Sequence, residues 1–155
     1  MSTFAEPIEQ AIDTLNIEKH VDIEAPIDVV WESILEEMGP GGIHGNGTPM
    51  PMKVEAWPGG RWYRDLGDGA GHLWGHVQVI KPPKLIEITG PLFMSYPAMN
   101  HVQYRLTEEG PMSTHLKLTH RALGFLDPQH TKGVNTGWQE VLENVKSIAA
   151  RRMKK

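Results

Sequence analysis

The sequence predicts an α+β fold in which a curved antiparallel β-sheet wraps around a long C-terminal α-helix. Three observations predict it. An alternating strand pattern and an amphipathic helix come first, over residues 17–38. Strand and turn signals then run from Met52 to His120 with no helical interruption, and a long segment of helical period closes the chain. Short connections between successive strands imply an antiparallel meander. Its apolar face must be covered, and the last helix is the element available to cover it. A sheet curved around a helix leaves an internal cavity between them.

Residues 1–16 read as an N-terminal extension and 17–155 as the domain. Phe4, Ile8, Ile12 and Leu15 have the spacing of a short amphipathic helix after Pro7, and a frayed tail fits equally well. Ile17, Lys19, Val21 and Ile23 alternate with Glu18, His20, Asp22 and Glu24, the mark of a half-buried first strand. Ala25-Pro26 stops it. Ile27, Val30, Trp31, Ile34, Leu35 and Met38 then form the apolar stripe of a helix of about three turns, ended by Gly39-Pro40. Five glycines and three prolines between Gly39 and Pro51 preclude regular structure, so this stretch is either a lid or an insertion.

Strand patterns follow over Met52–Trp57, Arg61–Leu66, Gly71–Ile80, Lys84–Thr89, Asn100–Thr107 and Thr114–Arg121. They are separated by Pro58-Gly59-Gly60, Gly67-Asp68-Gly69, Pro82-Pro83, Gly90-Pro91 and Glu108-Glu109-Gly110-Pro111. Asp127-Pro128 is a helix start, with Asp as N-cap. Val134, Trp138, Val141, Val145, Ile148 and Met153 mark one face of the helix that follows, and basic residues gather at its end, where they suit the helix dipole.

Composition bounds the function. A length of 155 residues suits one domain, and 39% hydrophobic residues plus 16 glycines is ordinary for a globular chain. A net charge of −4 provides no field that would draw in nucleic acid or an anionic membrane. No apolar run approaches the ~18 residues of a membrane span, and the N-terminus lacks a secretory pattern, so the cytoplasm is the expected compartment. The absence of cysteine excludes disulfides, thiolate metal sites and cysteine nucleophiles. No Gly-x-Ser-x-Gly, phosphate loop or dinucleotide fingerprint is present, and no cofactor is expected.

Four stretches together resemble a known family: Ala25-Pro26-Ile27-Asp28-Val29-Val30-Trp31; Trp57-Pro58-Gly59-Gly60-Arg61-Trp62; Gly75-His76-Val77-Gln78-Val79-Ile80-Lys81-Pro82-Pro83-Lys84-Leu85; and Gly137-Trp138. In this order they are similar to the START/Bet v 1-like (SRPBCC) superfamily, in its branch of activator of heat-shock-protein-90 ATPase homologues. The resemblance covers roughly residues 17–152. It implies a helix-grip fold with an internal cavity for an apolar small molecule. Superfamily members include carriers, receptors and cyclases, so the fold alone does not choose between binding and catalysis. A chaperone-assisting role is implied only by the branch name.

Candidate site residues follow from face assignment. With Pro82-Pro83 at a hairpin tip, Val79 falls near Ile86 and Val77 near Ile88, sending His76, Gln78, Glu87 and Thr89 to the other face. Val102, Tyr104, Leu106, Leu116, Leu118 and His120 share the apolar face of the next hairpin, against His101, Gln103, Arg105, His115 and Lys117. His120, the polar member of a buried stripe, reads either as a satisfied core histidine or as a proton shuttle. Glu87 becomes a general-base candidate only if its face is inverted.

Trp31, Trp62, Phe93, Met94, Tyr96, Met99, Tyr104, His120 and Trp138 are the expected ligand-binding residues, and Trp74 is a further aromatic that suits a cavity wall. The irregular segment Pro91–Met99 is expected at the cavity mouth, opposite the glycine-rich loop. Gly133 and Gly137 would leave room beside Trp138 for a ligand or for close sheet approach. No metal site is expected. His72 and His76 lie about 13 Å apart on a strand, too far to share an ion, and only a cross-strand pair such as His76 with His101 is left open.

The leading expectation is a carrier or sensor binding a hydrophobic or aromatic small molecule. The alternative is a cyclase- or hydrolase-type enzyme using His120 or Glu87 in the same cavity. Neither nucleic acid nor membrane is an expected partner, and a homodimer through a sheet face bearing Trp74, His76 and His101 is left open alongside a monomer.

Overall fold

The first strand carries its alternation further toward the N-terminus than the pattern suggests. In the computed structural model, which describes residues 9–44 and 46–155, β1 runs over Asp13–Ile23. Leu15, Ile17, Val21 and Ile23 pack on the core side. Of the helix expected over 1–16, Phe4 and Ile8 lie outside the described residues, whereas Asp13–Asn16 are strand, paired with Arg121–Gly124. Backbone pairing outweighs side-chain period here, because unpaired strand donors and acceptors are costly.

Helix α1 (Ile27–Met38) follows Pro26, as expected. The glycine-rich stretch after it is irregular apart from one antiparallel bridge, Ile43 to Pro49. Strand β2 is only Lys53–Val54, shorter than expected, because residues 55–61 close a tight turn. There the Glu55 carboxylate accepts the Arg61 backbone N–H at 2.9 Å and the Arg61 guanidinium at 2.8 and 3.0 Å. Strands β3 (Arg61–Gly67), β4 (Ala70–Lys81), β5 (Leu85–Gly90), β6 (Ala98–Gly110) and β7 (Ser113–Gly124) complete one seven-stranded antiparallel sheet of order β1-β7-β6-β5-β4-β3-β2.

Two β-bulges change which face side chains occupy. Trp62 opposes Gly75 while Tyr63 opposes Leu73, so Trp74 is the extra residue. It turns onto the concave side, where its ring meets Trp62 at 4.9 Å. Trp74 therefore does not stand with His76 and His101 on the outer face, where strict alternation puts it. A second bulge sets Val77 opposite Ile88 but Val79 opposite Glu87. Val79 leaves the core set, and Ile80 takes its place opposite Ile86. Beside the first bulge β4 and β5 approach closely: a Cβ on Gly90 would lie 2.5 Å from the Gly75 Cα.

Helix α2 (Pro128–Met153) begins at Asp127, whose Oδ1 accepts the Gln129 N–H at 3.0 Å. Its 26 residues span about 39 Å along the concave face. Val134, Trp138, Leu142, Val145 and Ala149 join the buried faces of the sheet and α1 in one core. Asn144 on α2 donates to the Gly41 carbonyl at 3.0 Å, and Arg152 reaches Glu36 at 2.8 Å, tying the two helices together. The result is an α+β, helix-grip architecture. Among the described residues no helix is long and apolar enough to cross a membrane.

Candidate functional site

Between sheet and helices the core opens into a cavity of about 680 Å³. One wall is α2, through Gly133, Val134, Gly137, Trp138 and Val141. Opposite stand Trp62 and Trp74, brought to one side by the first bulge, and Tyr104 from the centre of β6. The glycine-rich loop contributes Gly42, Ile43, His44, Met50 and Met52, and the irregular segment contributes Pro91–Ser95. Both stretches expected at the mouth therefore border the cavity. A Cβ added at Gly133 or Gly137 would meet nothing within 4 Å, so these glycines open onto space rather than permitting close sheet approach.

The aromatic wall is continuous. Trp74 meets Phe93 at 5.4 Å, Phe93 meets Trp138 at 6.3 Å and Trp138 meets Tyr104 at 6.4 Å, with the first and last of these contacts edge to face. Polar groups fall into two sets. His44 and His72 are exposed at the rim, with Arg64 and His130 part-buried. Glu37 and Tyr104 are buried.

His120 lies behind this wall. The Trp138 indole, which can only donate, reaches its Nδ1 at 2.9 Å. Its Nε2 therefore carries the proton and donates to Asn100 Oδ1 at 2.7 Å, and the Asn100 amide donates to the Pro91 carbonyl at 3.2 Å. The chain of bonds fastens the segment that begins at Pro91 and the wall tryptophan to the sheet. Burial pulls the His120 pKa down to about 4. A neutral ring with both nitrogens engaged is a structural histidine, with no free nitrogen for the acid–base work considered for it.

Glu87 stands on the outer face, where its carboxylate meets His101 Nε2 at 2.7 Å, and it has no place in the cavity. Of the expected lining residues, Trp62, Phe93, Met94, Tyr104 and Trp138 are brought together there. Trp31 is buried in the core away from the cavity. Tyr96 packs beside the rim, its hydroxyl 2.8 Å from His130 Nδ1. Met99 is 62% exposed on the outer face of β6, opposite Leu123. Since Asn100 and Val102 point inward, alternation along β6 already places Met99 outward.

Glu37 is the residue that sequence reasoning missed. It is 5% exposed in the last turn of α1. One carboxyl oxygen accepts a hydrogen bond from the Asn144 amide. Burial pushes its pKa up to about 8, against the smaller opposing effect of that bond. The Tyr104 phenol is raised well above its ordinary value by burial and by the nearby Glu37. Among the described residues its buried hydroxyl has no hydrogen-bond partner.

Elsewhere, Asp22, Glu109 and His115 offer ligand atoms within 4.8 Å of one another on the outer face. His115 is already engaged there, Nδ1 with Asp22 at 2.7 Å and Nε2 with His20 at 2.8 Å. His76 and His101 both oppose Thr89, so β5 lies between them. That separation is about 9.5 Å of backbone, too far for one ion.

The family model described as Activator of Hsp90 ATPase homolog 1-like protein matches residues 24–150. An uncharacterized protein from Rhizobium leguminosarum has a similar structure, with a TM-score of 0.68 and 20% identity over 93% of this chain and 99% of that one. CalU16 from Micromonospora echinospora has a TM-score of 0.61 and 24% identity, covering 94% and 88% of the two chains. The Zhui aromatase/cyclase from a Streptomyces species has a TM-score of 0.63 and 17% identity, covering 91% and 96%. At these identities the likeness is one of fold. No curated protein matches the chain.

Proposed function

Because this chain belongs to the Activator of Hsp90 ATPase homolog 1-like family, a branch of the START/Bet v 1 superfamily, we propose that it is a carrier or sensor for a hydrophobic or aromatic small molecule. The molecule lies between the sheet and α2. One observation carries this: a largely apolar cavity of about 680 Å³ whose helical wall is pared back to glycine at 133 and 137. Pockets for small organic ligands fall in the same range, about 300–1,000 Å³, with aromatic linings and a few placed polar groups. On this reading the protein works in the cytoplasm, with an apolar small molecule as its partner.

Native mass spectrometry of protein purified from its own host tests this. A reproducible small-molecule adduct, present under gentle conditions and lost on denaturation, is the expected result. An empty protein that also fails to bind a panel of aromatic probes would overturn it.

A second reading has one observation in its favour. A carboxyl with a raised pKa in a cavity is a general acid or base candidate, so a cyclase-type enzyme would use Glu37 rather than His120 or Glu87. One structural neighbour is described as an aromatase/cyclase. Turnover of a polyketone that survives Glu37→Gln undiminished would refute that role.

A further inference from the structure

We propose that Glu37 and Tyr104 form a paired hydrogen-bonding site for the carbonyl oxygen of an otherwise apolar ligand, so that the cavity selects ketone-type molecules over hydrocarbons of the same shape. The proposal rests on the cavity's being a binding site and names the chemistry of what it holds. Around the buried end the other donors are spent. The Trp62 indole donates to the Met38 carbonyl at 2.7 Å, and the Trp138 indole to His120 at 2.9 Å. The Asn144 amide donates both to Glu37 and to the Gly41 carbonyl.

What remains among the described residues is a carboxyl anchored through one oxygen and a phenol hydroxyl with no partner at all. Buried polar groups are almost always paired, and an unpaired one beside a cavity points to a group that arrives with the ligand.

The type of that group follows from protonation. Burial keeps Glu37 an uncharged acid through neutral pH, and Tyr104 is an uncharged phenol. Each then has an O–H to give, and two neutral donors suit an oxygen that accepts two hydrogen bonds, as a carbonyl does. A ligand carboxylate would bring an uncompensated charge into an apolar space. An amine would need Glu37 ionised. Tyr104 exposes none of its surface in the empty protein, so a ligand oxygen reaches its hydroxyl only as the side chains that cover it move aside on seating.

The test uses three naphthalenes of one ring skeleton, bearing an acetyl, an ethyl or an aminoethyl group at the same position, titrated against the full chain by fluorescence. The acetyl compound is expected to bind more tightly than the ethyl compound by on the order of tenfold to a hundredfold, the worth of two net hydrogen bonds. Tyr104→Phe should cut that ratio while leaving the affinity for the ethyl compound intact. Glu37→Leu should cut it too, whereas Glu37→Gln, which keeps one oxygen for Asn144 and an N–H for the ligand, should preserve it. Equal affinity for acetyl and ethyl compounds overturns the carbonyl site and leaves the binding cavity standing. Tighter binding of the aminoethyl compound overturns it in favour of an ion pair. Binding of none of the three overturns the cavity reading and this site with it.

Discussion

Replacing Gly133 and Gly137 separates folding from binding. A glycine inside a helix costs about 1 kcal/mol relative to alanine, chiefly in backbone entropy. At both positions a Cβ would meet nothing within 4 Å, so no clash offsets the gain. Gly133→Ala/Gly137→Ala should therefore stabilise the chain by about 2 kcal/mol. For a domain of this size that is a rise in Tm of about 4–8 °C. Gly137→Leu projects a larger side chain into the same space beside Trp138. It should weaken binding of the acetyl-bearing naphthalene by more than about tenfold, the loss expected when ligand volume is occupied, without lowering Tm. Thermal melts followed by fluorescence titration of the same samples measure both. A fall in Tm for the alanine pair would mean that the glycines serve packing, and undiminished binding by Gly137→Leu would mean that the ligand lies elsewhere.

The buried titrating groups predict stability limbs of opposite sign. His120 is protonated at about pH 4 when folded but near its ordinary value when unfolded, so stability should fall by up to about 3 kcal/mol as pH drops from about 6.5 through 4. Urea midpoints across that window should show a shallower fall in His120→Gln, and an unchanged slope would refute the assignment. Glu37 binds its proton more tightly when folded, so its contribution is complete below about pH 4.5 and is lost as pH rises through about 8. Glu37→Gln should thus gain several kcal/mol on the parent at about pH 9 relative to pH 5 in the same assay. At the start of α2, Asp127→Ala removes the bond to the Gln129 N–H and should cost about 1 kcal/mol by chemical denaturation, while Asp127→Ser should restore most of it.

Strict alternation reads the faces of β6 and β7 correctly wherever the strands are regular: Val102, Tyr104, Leu106, Leu116, Leu118 and His120 are all buried. It fails at Trp74 and Val79, where one extra residue reverses the face and no residue type announces the bulge. Part of the cavity lining was legible through its aromatics: Trp62, Phe93, Tyr104 and Trp138 border it, whereas Trp31 packs in the core and Tyr96 beside the rim, since an aromatic side chain suits a core as well as a cavity wall. Glu37 was not legible. Next to Glu36 in the last turn of a short helix it looks like solvent-facing charge, and what buries it is α2, including Asn144, which lies 107 residues further on. A buried carboxyl of this kind becomes visible only when the covering element is in place. His120 was legible as a buried histidine, but its role depends on two partners from different elements, Asn100 and Trp138.

The aromatic wall also makes the protein its own optical reporter. Three of its five tryptophans, Trp62, Trp74 and Trp138, border the cavity, while Trp31 is sealed in the core and Trp57 is 58% exposed. A molecule entering the cavity would pack against those three indoles, most of all the half-buried Trp74, and would leave the other two as an internal reference. Occupation of the cavity would thus register in the intrinsic emission of the chain, where a quencher dissolved in the buffer reaches Trp57 whether or not the cavity is occupied.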